Sequence, residues 1–220
     1  MNDFILRQAT IKDIPFLVET IVEAEKSGTD KLSYSTIFGI SEIEAKKYIE
    51  EMLLEEIDGC ELSVSSFILA EKQGQIAAAA SAWIEGLEGT PSTILKGNLL
   101  SFVLPKKCIE RAIEINQIIR EIHIEYIPGT IQLGLVYVSK EFRGLNLVKQ
   151  LVDELIKIHS KLNPLVSEMY VQVFSNNTPA IIAYERACFR EILSRQSLDE
   201  RILCYLPSNK KILMKMDLAT

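Results

Sequence analysis

Val138 to Lys157, VSKEFRGLNLVKQLVDELIK, passes from the end of an apolar stretch through a tight turn into a long amphipathic segment. The residues before it, GTIQLGLVYVS, read as a buried strand. After the turn, Leu147, Val148, Leu151, Leu155, Ile158 and Leu162 recur at helical spacing and predict a helix from about 145 to 161. A strand feeding directly into a helix with one apolar stripe points to a mixed α/β architecture, with that stripe laid on a sheet. The turn has a chemistry of its own. The first amides of a helix lack intrahelical partners, and the helix dipole adds partial positive charge, so the position suits an anion such as a diphosphate. Gly144 lets backbone approach without a Cβ, and Arg143 and Lys149 add countercharge. On those residues alone, a plain connection with solvated charges is the simpler reading.

The remaining chain supplies the other elements. FILRQ reads as a strand, and ATIKDIPFLVETIVEAEKS as a helix with Thr10 at its N-cap. Residues 28–40 read as loop. Ser41 and Glu44 form a capping box before the next helix. SSFILAEKQGQIAAAASAW predicts a hairpin, with strands near 65–71 and 75–84. EGLEGTPST reads as loop, and 105–122 as a helix with Ile109, Ala112, Ile113, Asn116, Ile119 and Ile122 near one stripe. EMYVQVF is a strand, NNTPAIIAYERACF a capped helix, and the tail holds strands near 190–196 and 210–217. With no repeat, low-complexity run or linker, one domain over 1–220 is expected, with a helical excursion at about 85–130.

Composition excludes several classes. The net charge of −6 argues against a nucleic-acid partner, which calls for a basic face. No apolar run reaches the roughly 18–20 residues of a membrane span, so no membrane partner is expected. The opening MNDFILRQATIKD lacks the pattern of a secretory leader. Four scattered cysteines and two histidines form no metal-ligand spacing, so no metal is expected, and reduced thiols in a cytoplasmic protein are.

Asn177, Ala180 and Tyr184 lie at i, i+3 and i+7 on one face of the capped helix. A tyrosine there can pack in a core or present its hydroxyl to a cleft. Taken in order, Val138-Ser-Lys-Glu-Phe-Arg143-Gly-Leu-Asn146-Leu-Val148 and Asn177-Thr-Pro-Ala180-Ile-Ile-Ala-Tyr184-Glu185-Arg-Ala-Cys188-Phe189 resemble the two motifs of the GNAT acetyltransferase superfamily. The first strand and helix, the hairpin and the closing ILMKMDL are also similar, with 85–130 the least matched part.

The resemblance implies a mixed, mostly antiparallel sheet of six to seven strands flanked by helices. It would be splayed between the strands near 131–138 and 167–173. It implies acetyl-CoA as co-substrate, its diphosphate held by Arg143, Gly144, Leu145, Asn146, Leu147, Val148 and Lys149. Val136 and Val138 would bond the pantetheine arm, with Asn177 and Ala180 beside it. Tyr184 would donate a proton to the departing thiolate as an amine attacks directly. The acceptor would be a small-molecule or peptide amine, and homodimers are common in such proteins. Four residues depart from the pattern. Asn146 and Val148 replace small residues, and Cys188 replaces a glycine expected to be left-handed. Gln132 stands where some relatives carry a basic glutamate, and it can only orient a water. Glu125, with Glu121 and His123, is an alternative base. Trp83 and Tyr137 read as packing residues rather than acceptor cradle. Gln132 and Val148 keep a second reading open, a non-catalytic acyl-CoA-binding protein of the same fold.

Overall fold

A computed structural model describes residues 4–218. Strand β1 (Ile5–Gln8) leads through a 3-10 turn into α1 (Ile14–Lys26), followed by α2 (Ser33–Phe38) and α3 (Glu42–Leu54). The hairpin β2 (Phe67–Lys72) and β3 (Gln75–Ile84) precedes two helices, α4 (Ser92–Val103) and α5 (Lys106–Ile119). Then come β4 (Ile131–Val138), α6 (Leu147–Leu162), β5 (Glu168–Phe174), α7 (Thr178–Arg186), β6 (Arg190–Gln196) and β7 (Lys210–Asp217). The strands form one seven-stranded sheet in the order β1-β2-β3-β4-β5-β7-β6. Every pairing is antiparallel except β4 with β5. The fold is the mixed, mostly antiparallel sheet flanked by helices that the resemblance implied.

Small side chains explain how both faces are covered. Ala78, Ala80 and Ala82 of β3 lie in one core cluster with Leu147, Leu151 and Leu155 of α6, and Ala79 lies in the other with Leu17, Ile21 and Val22 of α1. A methyl group on a central strand leaves room for a helix to sit close.

One expected loop, 28–40, gives way to a helix, and another, EGLEGTPST, is cut short by the start of one. Residues 33–38 coil into α2, with Tyr34 and Phe38 buried, and Gly39 ends it in the left-handed region at φ 67°. Residues 92–103 form α4, whose Leu95, Leu99, Leu100 and Val103 pack on the α1 side. Composition rich in Gly, Ser and Thr masked both, and burial of a few apolar residues overrode it. On α5 the buried residues are Cys108 and Ile115, and Ile113 is exposed, so the apolar stripe is rotated from the expected one.

The sheet edge is tied to α1 by charge. Arg7 donates from both Nη atoms to the Asp13 carboxylate at 2.8 Å and from Nε to Glu71 at 2.8 Å. Asp13 also accepts from the Thr10 amide and hydroxyl, closing the cap predicted at Thr10. The Arg7 hydrogen bond, opposed by burial, holds the Asp13 pKa down at about 2. A depressed carboxylate adds stability above its unfolded pKa and loses it as pH falls through the folded value. Asp13→Asn is therefore expected to cost about 1–2 kcal/mol at pH 7, less than the full shift because Arg7 is one-third exposed. Denaturant melts should show the gap closing between about pH 4 and pH 2.

Candidate active site

The register of β4 explains a gap in the sheet. Against β3, Leu133 pairs with Ala82 but Val136 pairs with Ala80, so β4 carries one extra residue at Gly134–Leu135. The Leu135 amide donates to the Ser81 hydroxyl at 2.9 Å. A Cβ on Gly134 would fall 2.7 Å from both Ser81 Oγ and Trp83 Cζ3, so only glycine fits at this bulge. Beyond it the parallel neighbour is lost: β4 meets β5 only at Ile131–Met169, Gln132–Tyr170 and Leu133–Val171. Strand β5 instead stays paired with β7 through Phe174. The two strands open into a V.

The V exposes a row of backbone groups. Ser139 donates its amide to Ala77 across the β3–β4 ladder. Antiparallel alternation then turns Tyr137 to β3 and points Val136 and Val138 the other way, toward the gap. A cleft of about 590 Å³ fills this gap.

One end of the cleft is the turn into α6. Gly144 (φ 81°) and Asn146 (φ 58°) both lie in the left-handed region, and Asn146 is the N-cap without a side-chain bond of its own. Amides of the first turn of α6 therefore have no carbonyl within the helix to meet. Arg143 is exposed, and its Nε donates to the Val138 carbonyl at 3.1 Å. Lys149 is held by Asp153 at 2.8 Å, so its charge is largely spoken for. Val148 packs partly on the core while lining the cleft.

Helix α7 forms the opposite wall. Asn177 caps it by accepting from the Ala180 amide at 3.3 Å, which leaves its carboxamide nitrogen unbonded among the described residues. Two turns on, Tyr184 is buried and stacks edge-on against Phe189 at 5.9 Å. Burial pushes its phenol well up, so it stays protonated. Cys188 is left-handed at φ 73°, and the Phe189 amide reaches back to the Tyr184 carbonyl at 3.0 Å. A residue with a Cβ there costs about 1–2 kcal/mol relative to glycine, away from the cleft wall.

The far end of the cleft is charged. Lys96 of α4 meets Glu61 at 2.6 Å. Burial works against the Lys96 ammonium, yet Glu61 and its neighbours hold its pKa well above the ordinary value. Buried Glu85 bonds Trp83 Nε1 at 2.8 Å and the Ser92 hydroxyl at 2.5 Å, which fixes the start of α4 and so the position of Lys96. Tyr126 stands edge-on to Trp83 at 5.3 Å. Glu25, near the end of α1, and Lys211, at the start of β7, complete this end. Burial raises the Glu25 carboxyl and lowers the Lys211 ammonium. The end of α1 is held over the V by Asn176, whose side chain donates to the Ser27 carbonyl at 3.1 Å.

The acetyltransferase (GNAT) family profile matches residues 35–188. This chain belongs to the GNAT acetyltransferase family. No curated protein matches the sequence. Among solved structures, the GNAT chain is similar in fold to the Drosophila melanogaster polyamine N-acetyltransferase, which is said to form N-acetylagmatine. The TM-score is 0.58 at 16% identity, covering 98% of this chain and 100% of that one. It is also similar to an N-acetyltransferase from Staphylococcus aureus Mu50, with TM-score 0.56 at 13% identity over 96% and 100% of the two chains. At such identities the likeness concerns the fold.

Within this GNAT fold, Val136, Val138, Arg143, Gly144, Asn146, Leu147, Val148, Asn177, Ala180 and Tyr184 all line the cleft. Leu145 and Lys149 lie just outside it. Gln132 is buried, donates to the Thr130 hydroxyl at 2.7 Å and does not line the cleft. Before the bulge, its side chain is committed to the sheet's packed region. Glu125 is exposed outside the cleft, and Glu121 accepts from the Ser197 hydroxyl. Trp83 and Tyr137, read as packing, do line the cleft. Glu25, Glu61, Lys96, Tyr126 and Lys211 went unnoticed in the sequence because five separate segments bring one residue each. No local spacing joins them.

Proposed function

We propose that the protein is an acyl-CoA-dependent N-acyltransferase that moves acetyl from acetyl-CoA to a primary amine of a small molecule or peptide by direct attack. The observation that carries this reading is the V between β4 and β5, with free amides at Val136 and Val138 and the Tyr184 phenol in the same cleft. The residues fit the co-substrate. Amides of residues 144–148 suit its diphosphate, and Val136, Val138 and the Asn177 carboxamide suit the amides of its arm. Bound acetyl-CoA supplies an activated thioester.

The protein's own groups supply the rest. Outward amides of β4 polarise a carbonyl lying along the strand. Tyr184, kept neutral by burial, donates its proton to the departing thiolate. Glu25 receives the proton that the amine sheds, directly or through a water. Among the cleft carboxylates it suits this role because Glu61 is locked to Lys96, whereas Glu25 makes no ion pair among the described residues and burial raises its carboxyl above the ordinary carboxylate range. Gln132 has no such part. We place the reaction in the cytoplasm as part of this proposal; free Cys60, Cys108, Cys188 and Cys204 are in keeping with a reducing compartment.

Coenzyme A at a hundredfold its Kd is expected to raise Tm by roughly 5–10 °C, since a native-state ligand stabilises by mass action. With acetyl-CoA and an amine panel, mass spectrometry should find an acetylated amine for each thiol released. Stabilisation without turnover on any amine would favour the non-catalytic acyl-CoA-binding reading.

A further inference from the structure

The charges at the far end of the cleft do not cancel one another locally. Glu23 is bonded to Lys26 at 3.2 Å, and Glu61 to Lys96 at 2.6 Å. Two groups are left over. Among the described residues Glu25 and Lys211 make no ion pair, with each other or with any other group. Lys211 Nζ lies 5.2 Å over the Phe174 ring, beside Gln172, whose amide nitrogen is committed to the Ile124 carbonyl at 2.9 Å. An ammonium in that position has lost much of its water, and Glu25 and Glu61 act on it only from beyond ion-pair distance, which is unfavourable for the empty protein. The two leftover charges are of opposite sign and face one cavity.

We propose that the acceptor is a zwitterion, an amino acid in the simplest case. Its amine lies toward Glu25, and its carboxylate sits on Lys211. This inference rests on the acyl-transfer reading and names the substrate class of the same site. A polyamine matches it poorly: a second ammonium would meet Lys211, and Lys96 already holds Glu61. A simple alkylamine would satisfy Glu25 and leave Lys211 unpaired. A carboxylate supplies the missing counter-ion and gives specificity through the penalty of leaving Lys211 bare with any other acceptor. When the acceptor binds, its ammonium passes one proton to Glu25 and the neutral amine attacks; the second proton, shed from nitrogen as the amide forms, replaces the one that Tyr184 gives to the thiolate, so protons and charges balance.

The test compares matched acceptors on the whole protein. Each proteinogenic amino acid and β-alanine is assayed beside its decarboxylated amine and its methyl ester, with acetyl-CoA and thiol release as readout. The acid of the best pair should exceed its amine and ester in kcat/KM by tenfold or more. Lys211→Met, which keeps the reach and removes the charge, should bring that ratio toward one, and Lys211→Arg should retain a preference. Lys211→Met should melt no lower than the parent, because the lysine it replaces makes no ion pair among the described residues and Met keeps an apolar contact with the Phe174 ring. Equal rates for acid and amine, or a Lys211→Met loss that falls equally on both, would overturn the zwitterion and leave acetyl transfer standing. Binding of coenzyme A with no turnover of any amino acid would also overturn it. Absence of coenzyme A binding would instead remove the acyl-transfer reading, and the zwitterion with it.

Discussion

Tyr184→Phe is expected to lower kcat for acetyl transfer by about 10²–10⁴, the usual range for loss of a positioned proton donor, with CoA affinity within about threefold of the parent. The ring remains, so its edge-on contact with Phe189 and the wall of α7 remain. Only the hydroxyl is lost, and with it the group proposed to protonate the thiolate as the carbon–sulfur bond breaks. Burial keeps that hydroxyl protonated well above the ordinary phenol range, so the donor is available throughout a neutral assay. Stopped assays of thiol release, run beside calorimetry with CoA, separate the two effects. A variant with parental kcat would show that water protonates the leaving group.

Glu25→Gln is expected to act in opposite directions on rate and stability. As the proton acceptor, Glu25 should account for the acid limb of the kcat/KM profile; its removal should cost about 10²–10⁴ and flatten that limb. Stability follows from the raised pKa, caused first by burial. The folded protein then holds a proton that the unfolded chain has lost. The carboxyl's favourable contribution is complete below about pH 4, its unfolded range, and is lost as pH rises through the folded value. Glu25→Gln should therefore melt higher than the parent at pH 8 and match it near pH 4. An unchanged acid limb would assign the base elsewhere, and a lower Tm at pH 8 would show that the charged form is needed by the fold.

Both variants depend on a geometry that is partly local and partly not. The strand, turn and helix around Gly144 follow from short-range patterns, and so do the Asn177 cap and the position of Tyr184 about one turn beyond Ala180. Helix capping, left-handed turns and apolar periodicity act over a few residues, so a single stretch of sequence carries them. The left-handed Asn146 and Cys188 were also anticipated on such grounds. Helix α2 reads as loop in the sequence, and α4 only as part of a helical excursion at about 85–130, because their own propensities are weak and packing against α1, α3 and α5 decides them.

The V itself depends on Gly134, where a Cβ would fall 2.7 Å from Ser81 and Trp83 of another strand. Nothing in GLVYV alone announces that bulge. The charged end of the cleft is further still from local legibility: Glu25, Glu61, Lys96 and Lys211 lie far apart along the chain and meet only once the sheet has formed. Sequence alone thus determined the strand, turn and capped helix proposed to seat a CoA-like ligand, because turns and helix starts are short-range properties of backbone. Tertiary structure alone decided which carboxylate is poised and which lysine is left unpaired, because desolvation and charge pairing depend on every segment that surrounds a group.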